Sequence, residues 1–263
     1  MVKLKPVLGI IGGGQLGSML SVAAKKLQIK TVVLTDDPNA PAKNFCDEII
    51  FSKYEKKDKL IEFAEKVDVI TFEFENIPYE VLNLVSKIKK VLPSPEINKI
   101  VQNRKEEKSF INSIGVKTTA WAHIKSKKDI LENRKLLPGL LKTCTFGYDG
   151  KGQALIKDLI DLKDETFFNE DYILEKLIKL KQEISVIITR YENGETSIYE
   201  PFENLHEDQI LKNSKIPANI SKKNHEKSQI ITTLIAEKLK YVGTMCVEFF
   251  IDEKDNLFVN EIA

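Results

Sequence analysis

Over residues 1–95 the apolar positions come in short runs separated by amphipathic stretches. Val7–Ile11, Thr31–Leu34, Ile49–Phe51, Val69–Phe72 and Val91–Leu92 are short and largely apolar, the mark of strands buried on both faces. Leu16–Leu27, Lys59–Lys66 and Tyr79–Lys87 repeat apolar residues three and four apart, which lines one side of a helix. Strand and helix in alternation predict an α/β unit with a parallel sheet. Pro93 and Pro95 bracket Ser94 and mark its end. Two polar helices, Glu96–Gln102 and Lys105–Ile114, follow, and then the order changes to α+β. Short strands are expected at Leu140–Lys142, Gln153–Ile156, Tyr172–Glu175 and Glu183–Thr189. A helix near Glu226–Leu239 precedes Thr244–Ile251 and Leu257–Glu261, which read as a hairpin closed across Asp252–Asn256.

Composition narrows the function classes. Forty Lys+Arg against thirty-nine Asp+Glu give a net charge of +1, so no overall field draws the chain to nucleic acid or a membrane surface. Any anion site must be local. Cys46, Cys144 and Cys246 are odd in number and widely spaced, without CxxC or neighbouring His, which argues against a disulfide framework and a zinc site and for the reducing cytoplasm. No apolar run reaches the roughly 18 residues of a spanning helix, and a soluble protein is expected.

Four local patterns carry chemistry. Gly12-Gly13-Gly14-Gln15-Leu16-Gly17 follows a strand and opens a helix, so its N–H groups and the positive helix end suit a phosphate; the glycines equally suit a plain tight turn. Asp36, roughly 20 residues on, stands where a dinucleotide enzyme keeps its ribose-binding acid. Thr71–Asn76 ends a strand in Glu73 and Glu75, which alternation puts on one side, with Phe72 and Phe74 on the other. The segment Lys142–Gln153 joins two strands; its glycines at 147, 150 and 152 permit close backbone approach, and Lys142 and Lys151 supply charge for polyphosphate. It lacks Walker spacing and also fits an ordinary hairpin loop turning at Tyr148-Asp149-Gly150. In the final hairpin, pairing position 252 with 257 sets Glu248 directly opposite Glu261, a carboxylate couple that Mg²⁺ would bridge, with Asn260 alongside. Glu175, leading into Lys176-Leu177-Ile178, could form a hinge offering backbone groups to an adenine edge, and Glu183 could hold ribose hydroxyls. His206 sits among polar groups, whereas His123 and His225 lack such company.

Together GGGQLG, TFEFEN, KTCTFGYDGKGQ, ILEKLI, KLKQEIS, ENLHEDQIL, GTMCVEFF and NEIA resemble the ATP-grasp 5-(carboxyamino)imidazole ribonucleotide synthases of purine biosynthesis, over essentially the whole chain. The resemblance implies a pre-ATP-grasp α/β domain at 1–95 that binds substrate. It further implies linker helices with a small ATP-grasp lid at 96–175, and a larger ATP-grasp domain at 176–263. It implies an enzyme that carboxylates 5-aminoimidazole ribonucleotide with bicarbonate through carboxyphosphate, using ATP and Mg²⁺. ATP contacts would fall on Arg104, Lys142, Gly147, Tyr148, Asp149, Gly150, Lys151, Gly152, Gln153, Glu175, Lys176, Leu177, Ile178, Glu183, His206, Asn260 and Glu261. Metal would sit on Glu248 and Glu261. The ribonucleotide would meet Gly14, Gln15, Leu16, Glu73 and Tyr148, with Lys142, Glu73 and Tyr148 serving catalysis. A homodimer is possible by the same likeness.

Two departures stand out. Cys144 and Thr145 replace the basic residues common after the strand lysine, which reduces the charge available to phosphates there. Family members also continue past Asn260-Glu261-Ile262-Ala263 with a Pro/Arg/His/Asn-rich turn and further strands, so the chain is expected to be shorter than the family's full length. The rival readings are another ATP-grasp carboxylate–amine ligase, an NAD-dependent oxidoreductase resting on Gly12, Gly14, Gly17 and Asp36, and a non-catalytic nucleotide-binding remnant.

Overall fold

In a computed structural model of the chain, residues 5–73, 75–145, 152–159, 170–207 and 210–263 are described. They divide into two compact units, Met1–Lys99 and Ile100–Ala263. The first holds five parallel strands, β1 (Val7–Ile11), β2 (Lys30–Thr35), β3 (Glu48–Phe51), β4 (Val69–Phe72) and β5 (Lys90–Val91), in the order β3-β2-β1-β4-β5. Helices α1 (Gln15–Lys26), α2 (Lys57–Glu65) and α3 (Tyr79–Ser86) connect strands as the alternation predicts, and α4 (Pro95–Val101) follows. The strands are apolar because both faces are covered: Ile11, Leu34, Phe63, Ile70, Leu82 and Val85 are fully buried in one cluster. Strand order reverses between β1 and β4, the kind of switch point beside which open α/β sheets bind ligands.

The second unit begins with α5 (Arg104–Ser113), capped by Asn103, whose side chain accepts from the N–H groups of Lys105 and Glu106. A small antiparallel sheet follows, with β6 (Trp121–Ile124), β7 (Gly139–Thr143), β8 (Gln153–Ile156) and β9 (Tyr172–Lys176) in the order β6-β9-β7-β8. Helix α6 (Lys127–Glu132) starts in a Ser126/Asp129 capping box and contributes Ile130 to the core beneath this sheet. The larger sheet contains β10 (Leu180–Arg190), β11 (Thr196–Ile198), β12 (Phe202–Glu207), β13 (Ile210–Lys215), β14 (Gly243–Asp252) and β15 (Leu257–Ile262). Its order is β13-β12-β10-β14-β15, with β11 also on β10. Helix α7 (Lys222–Lys238) lies against β10 and β14. Alternation then decides the faces: Met245, Val247, Phe249 and Ile251 are buried, and the intervening Glu248 and Phe250 share the opposite side with Glu183 and Ser185 of β10. Strands β6, β11, β12 and β13 and helix α6 go beyond the sequence reading.

The expected hairpin register needs correction. Asp252 N–H donates to Asn256 O, and Ile251, not Asp252, pairs with Leu257. The loop is one residue shorter because the Asp252 carboxylate accepts from the N–H groups of Lys254 and Asn256 at 2.9 and 2.8 Å, while Asp255 takes φ 62°. A β-bulge between Val247 and Phe249 then shifts the ladder by one, so that Val247 pairs with Ile262. Glu248 therefore lies at the bulge, across from Asn260 and Glu261, instead of in a plain opposed pair.

Candidate active site

In the first unit the glycine turn and Glu73 form one structure. β1 delivers the glycines and β4 delivers Glu73, because these strands are neighbours at the order reversal. Gly14 N–H and Gly17 N–H each donate to the Glu73 carboxylate at 2.6 Å. The anion at the start of α1 is thus the protein's own. A Cβ on Gly12, at φ +102°, would stand 2.4 Å from Glu73 Cγ, and one on Gly14 would stand 2.8 Å from its Oε1. Those positions need glycine so that the carboxylate can enter. This corrects two expectations: the amides of Gly14 and Gly17 are not open to a phosphate, and the dinucleotide reading loses the donors it required. Glu75 does not join Glu73 as a carboxylate pair either. The strand stops at Phe72, alternation ends with it, and exposed Glu75 accepts from Asn76. Phe74 is outside the described residues.

In the second unit, charged groups from α5, β7, β9, β10, β12 and the β14–β15 hairpin meet. Glu175 is 4 % exposed; Lys108 Nζ and Lys142 Nζ each stand 2.5 Å from one of its oxygens, and Thr119 Oγ1 donates to it. Burial works against the charge of Glu175, yet the two ammonium groups hold its carboxyl far below the usual carboxylate range. Arg104 Nη1 donates to Glu261 Oε2 at 2.9 Å. His206 Nδ1 lies 2.9 Å from Glu183 Oε2, and burial raises the Glu183 carboxyl against the pull of His206 and Lys142. Glu248 is pushed up to about 7, first by burial and then by the nearby charge of Glu261, with Glu183 adding to it. The sheet thus carries an acidic couple at β14–β15 whose mutual repulsion a cation would relieve.

Two family models match in the same order along the chain: "Ribonucleotide synthetase preATP-grasp domain" over residues 5–102 and "ATP-grasp domain" over residues 109–263. The N5-carboxyaminoimidazole ribonucleotide synthase of Bacillus subtilis (strain 168) is 37 % identical over 261 residues, covering 98 % of this chain and 69 % of that protein. The chain belongs to the N5-carboxyaminoimidazole ribonucleotide synthase family. Two solved structures of the family superpose closely. That of the Staphylococcus aureus synthetase complexed with ADP has a TM-score of 0.93 at 36 % identity, with 100 % of this chain and 72 % of that one covered. That of the Aspergillus clavatus synthase in complex with ADP and 5-aminoimidazole ribonucleotide has a TM-score of 0.88 at 26 % identity, with 98 % and 69 % covered.

For this member of the N5-carboxyaminoimidazole ribonucleotide synthase family the remaining expectations divide. Gly147, Tyr148, Asp149, Gly150 and Lys151 are outside the described residues. Gly152 takes φ +73° against Thr143, and Gln153 pairs with Lys142, so that end of the segment is a hairpin stem. The N–H groups of Lys176 and Leu177 are already donated, to Ala120 O and Pro138 O. His123 and His225 do meet carboxylates, Asp171 at 3.3 Å and Glu200 at 2.6 Å. Sequence reasoning missed Glu107 and Lys108. Both are 2 % exposed on α5, and Glu107 is pushed up to about 8 by burial and then by Glu261. The available signal was their helical spacing with Arg104 and Ile111, which puts charge on the buried side of α5. Among the described residues no three His, Cys, Asp or Glu side chains form a self-sufficient metal cage. Glu248 and Glu261 still fit a hard cation that takes its other ligands from phosphate and water. No helix is long and apolar enough to cross a membrane among the described residues.

Proposed function

We propose that the chain carboxylates 5-aminoimidazole ribonucleotide to N5-carboxyaminoimidazole ribonucleotide with ATP and bicarbonate, in purine biosynthesis, and that the second unit handles the nucleotide. The observation that carries this reading is the gathering of Arg104, Lys142, Glu175, Glu183, His206, Glu248 and Glu261 within that unit. Lys142 neutralises charge on the phosphates, with Glu175 fixing its ammonium. The small sheet with Gly147–Gln153 acts as the lid and excludes water, and the six-stranded sheet is the larger body. Lys176, Leu177 and Ile178 border the adenine; with two of their N–H groups spent, recognition falls to carbonyl oxygens and Ile178 N–H. Glu183, set by His206, accepts from ribose hydroxyls. Glu248 and Glu261, with Asn260, would hold Mg²⁺, which when bound supplies positive charge to the phosphates. Arg104 keeps Glu261 oriented.

In the first unit Glu73 shapes the turn at Gly14, and Gln15 and Leu16 border the ribonucleotide. Bicarbonate oxygen attacks the γ-phosphorus and ADP leaves, giving carboxyphosphate; the exocyclic amine of the ribonucleotide then bonds to its carboxyl carbon as the C–O bond to phosphate breaks, releasing inorganic phosphate and the amine proton. The three free thiols support the cytoplasm as the compartment.

The test is ADP formation from Mg·ATP. It is expected to require both bicarbonate and 5-aminoimidazole ribonucleotide, and Lys142→Met is expected to lower kcat by about 10²–10³-fold. ADP release that ignores either co-substrate contradicts the reading.

A further inference from the structure

The bulge on β15 is gripped from outside by α5. Arg104, Glu107 and Lys108 stand on one side of α5, at spacings of three and four residues, and Ile111 continues that side into the core. They reach three consecutive residues of the strand. Arg104 Nη1 donates to Glu261 Oε2 at 2.9 Å, Glu107 Oε1 accepts from Ile262 N–H at 2.6 Å, and Lys108 Nζ donates to Asn260 O at 3.2 Å. β15 ends its sheet, so among the described residues its outer side meets no strand ladder beyond an isolated bridge of Val259 to Thr118, and a bulge frees further backbone groups. Just before the bulge, Val259 N–H donates to Lys117 O on this same side. The backbone on both sides of Glu261 is therefore held by buried side chains.

We propose that Glu107 and Lys108 are positioning residues for the reaction: by fixing the backbone of Ile262 and Asn260 they hold the bulge in the one shape that turns Glu261 towards Glu248. The assignment rests on the reading of Glu248 and Glu261 as the magnesium-holding couple. Neither residue touches the reacting atoms. Their contribution is the geometry of a ligand pair, the way outer partners orient the ligands of metal sites generally. Lys108 also shares Glu175 with Lys142, which joins the two ends of the charged cluster through one ammonium group.

The test is the Mg²⁺ concentration giving half-maximal ADP formation, at saturating ATP, bicarbonate and ribonucleotide, with melting temperature followed alongside. Glu107→Gln keeps an oxygen for Ile262 N–H and is expected within about twofold of the parent. Glu107→Leu removes that oxygen and is expected to raise the half-point about tenfold, with kcat at saturating Mg²⁺ retained within about threefold. Glu107→Asp keeps the carboxylate but draws it back by one methylene; as the milder change it keeps the question answerable should the Leu variant not fold, and a three- to tenfold rise is expected. A merely structural role would lower the melting temperature and the active fraction without moving the half-point. A parental half-point in Glu107→Asp, or a Gln variant as impaired as the Leu variant, overturns the proposal. Glu261→Gln tests the underlying reading: an unchanged Mg²⁺ dependence there removes the metal assignment and this proposal with it. A changed one there beside an unaffected Glu107→Asp removes this proposal alone.

Discussion

Glu175 joins two lysines in the second unit. Its two oxygens answer Lys108 and Lys142, and removing the charge leaves two nearly buried ammonium groups facing an amide. Glu175→Gln is expected to cost about 3–5 kcal/mol at pH 7, measured by urea denaturation. The sign of the pH dependence follows from the depressed carboxyl. Its ion pairs contribute fully above the unfolded-state value near 4.5 and are lost as pH falls through the folded-state value. The gap between parent and variant should therefore close as the pH drops below about 4, and a gap that stays constant contradicts the pairing. At this scale the sequence was informative about residue type and less so about partners. Lys142, Glu175 and Glu73 were all visible as charges at strand ends. That Glu73 would be consumed by Gly14 and Gly17, or Glu175 by a second lysine on α5, depends on contacts across 56 and 67 residues, which no local pattern records.

At the scale of elements, legibility followed burial. The five strands of the parallel sheet announce themselves as short apolar runs, and helices α1 to α3 by apolar positions three and four apart. The β12–β13 hairpin does not: every residue of β13 is exposed, so neither of its faces writes an alternation into the sequence. The hairpin at β14–β15 was legible as a hairpin and misread by one residue at the turn. Asp252 explains the difference, since its carboxylate takes two backbone N–H groups and the Asn256 side-chain amide at 2.8 Å. Asp252→Ala should lower the melting temperature. It should also raise amide exchange at Lys254 and Asn256 ahead of the rest of the strand pair. Uniform exchange across β14 and β15 in the variant would show that the side chain does not define the loop.

For the molecule as a whole, two compact units with separate apolar clusters make all-or-none unfolding a poor expectation. Calorimetry should give a van't Hoff enthalpy smaller than the calorimetric one. Mg·ATP at about 100 times its Kd should add about 2.7 kcal/mol to the transition of the second unit and leave the other in place. A single transition with matching enthalpies contradicts this.

The glycine turn of the first unit carries an implication for assembly. Its outline is complete only when a carboxylate 59 positions downstream of Gly14 is inserted, so β1 and α1 form an unfilled mould until β4 has docked. Local chain preference cannot finish that corner, and β1 and α1 must wait for a segment made later in the chain before settling.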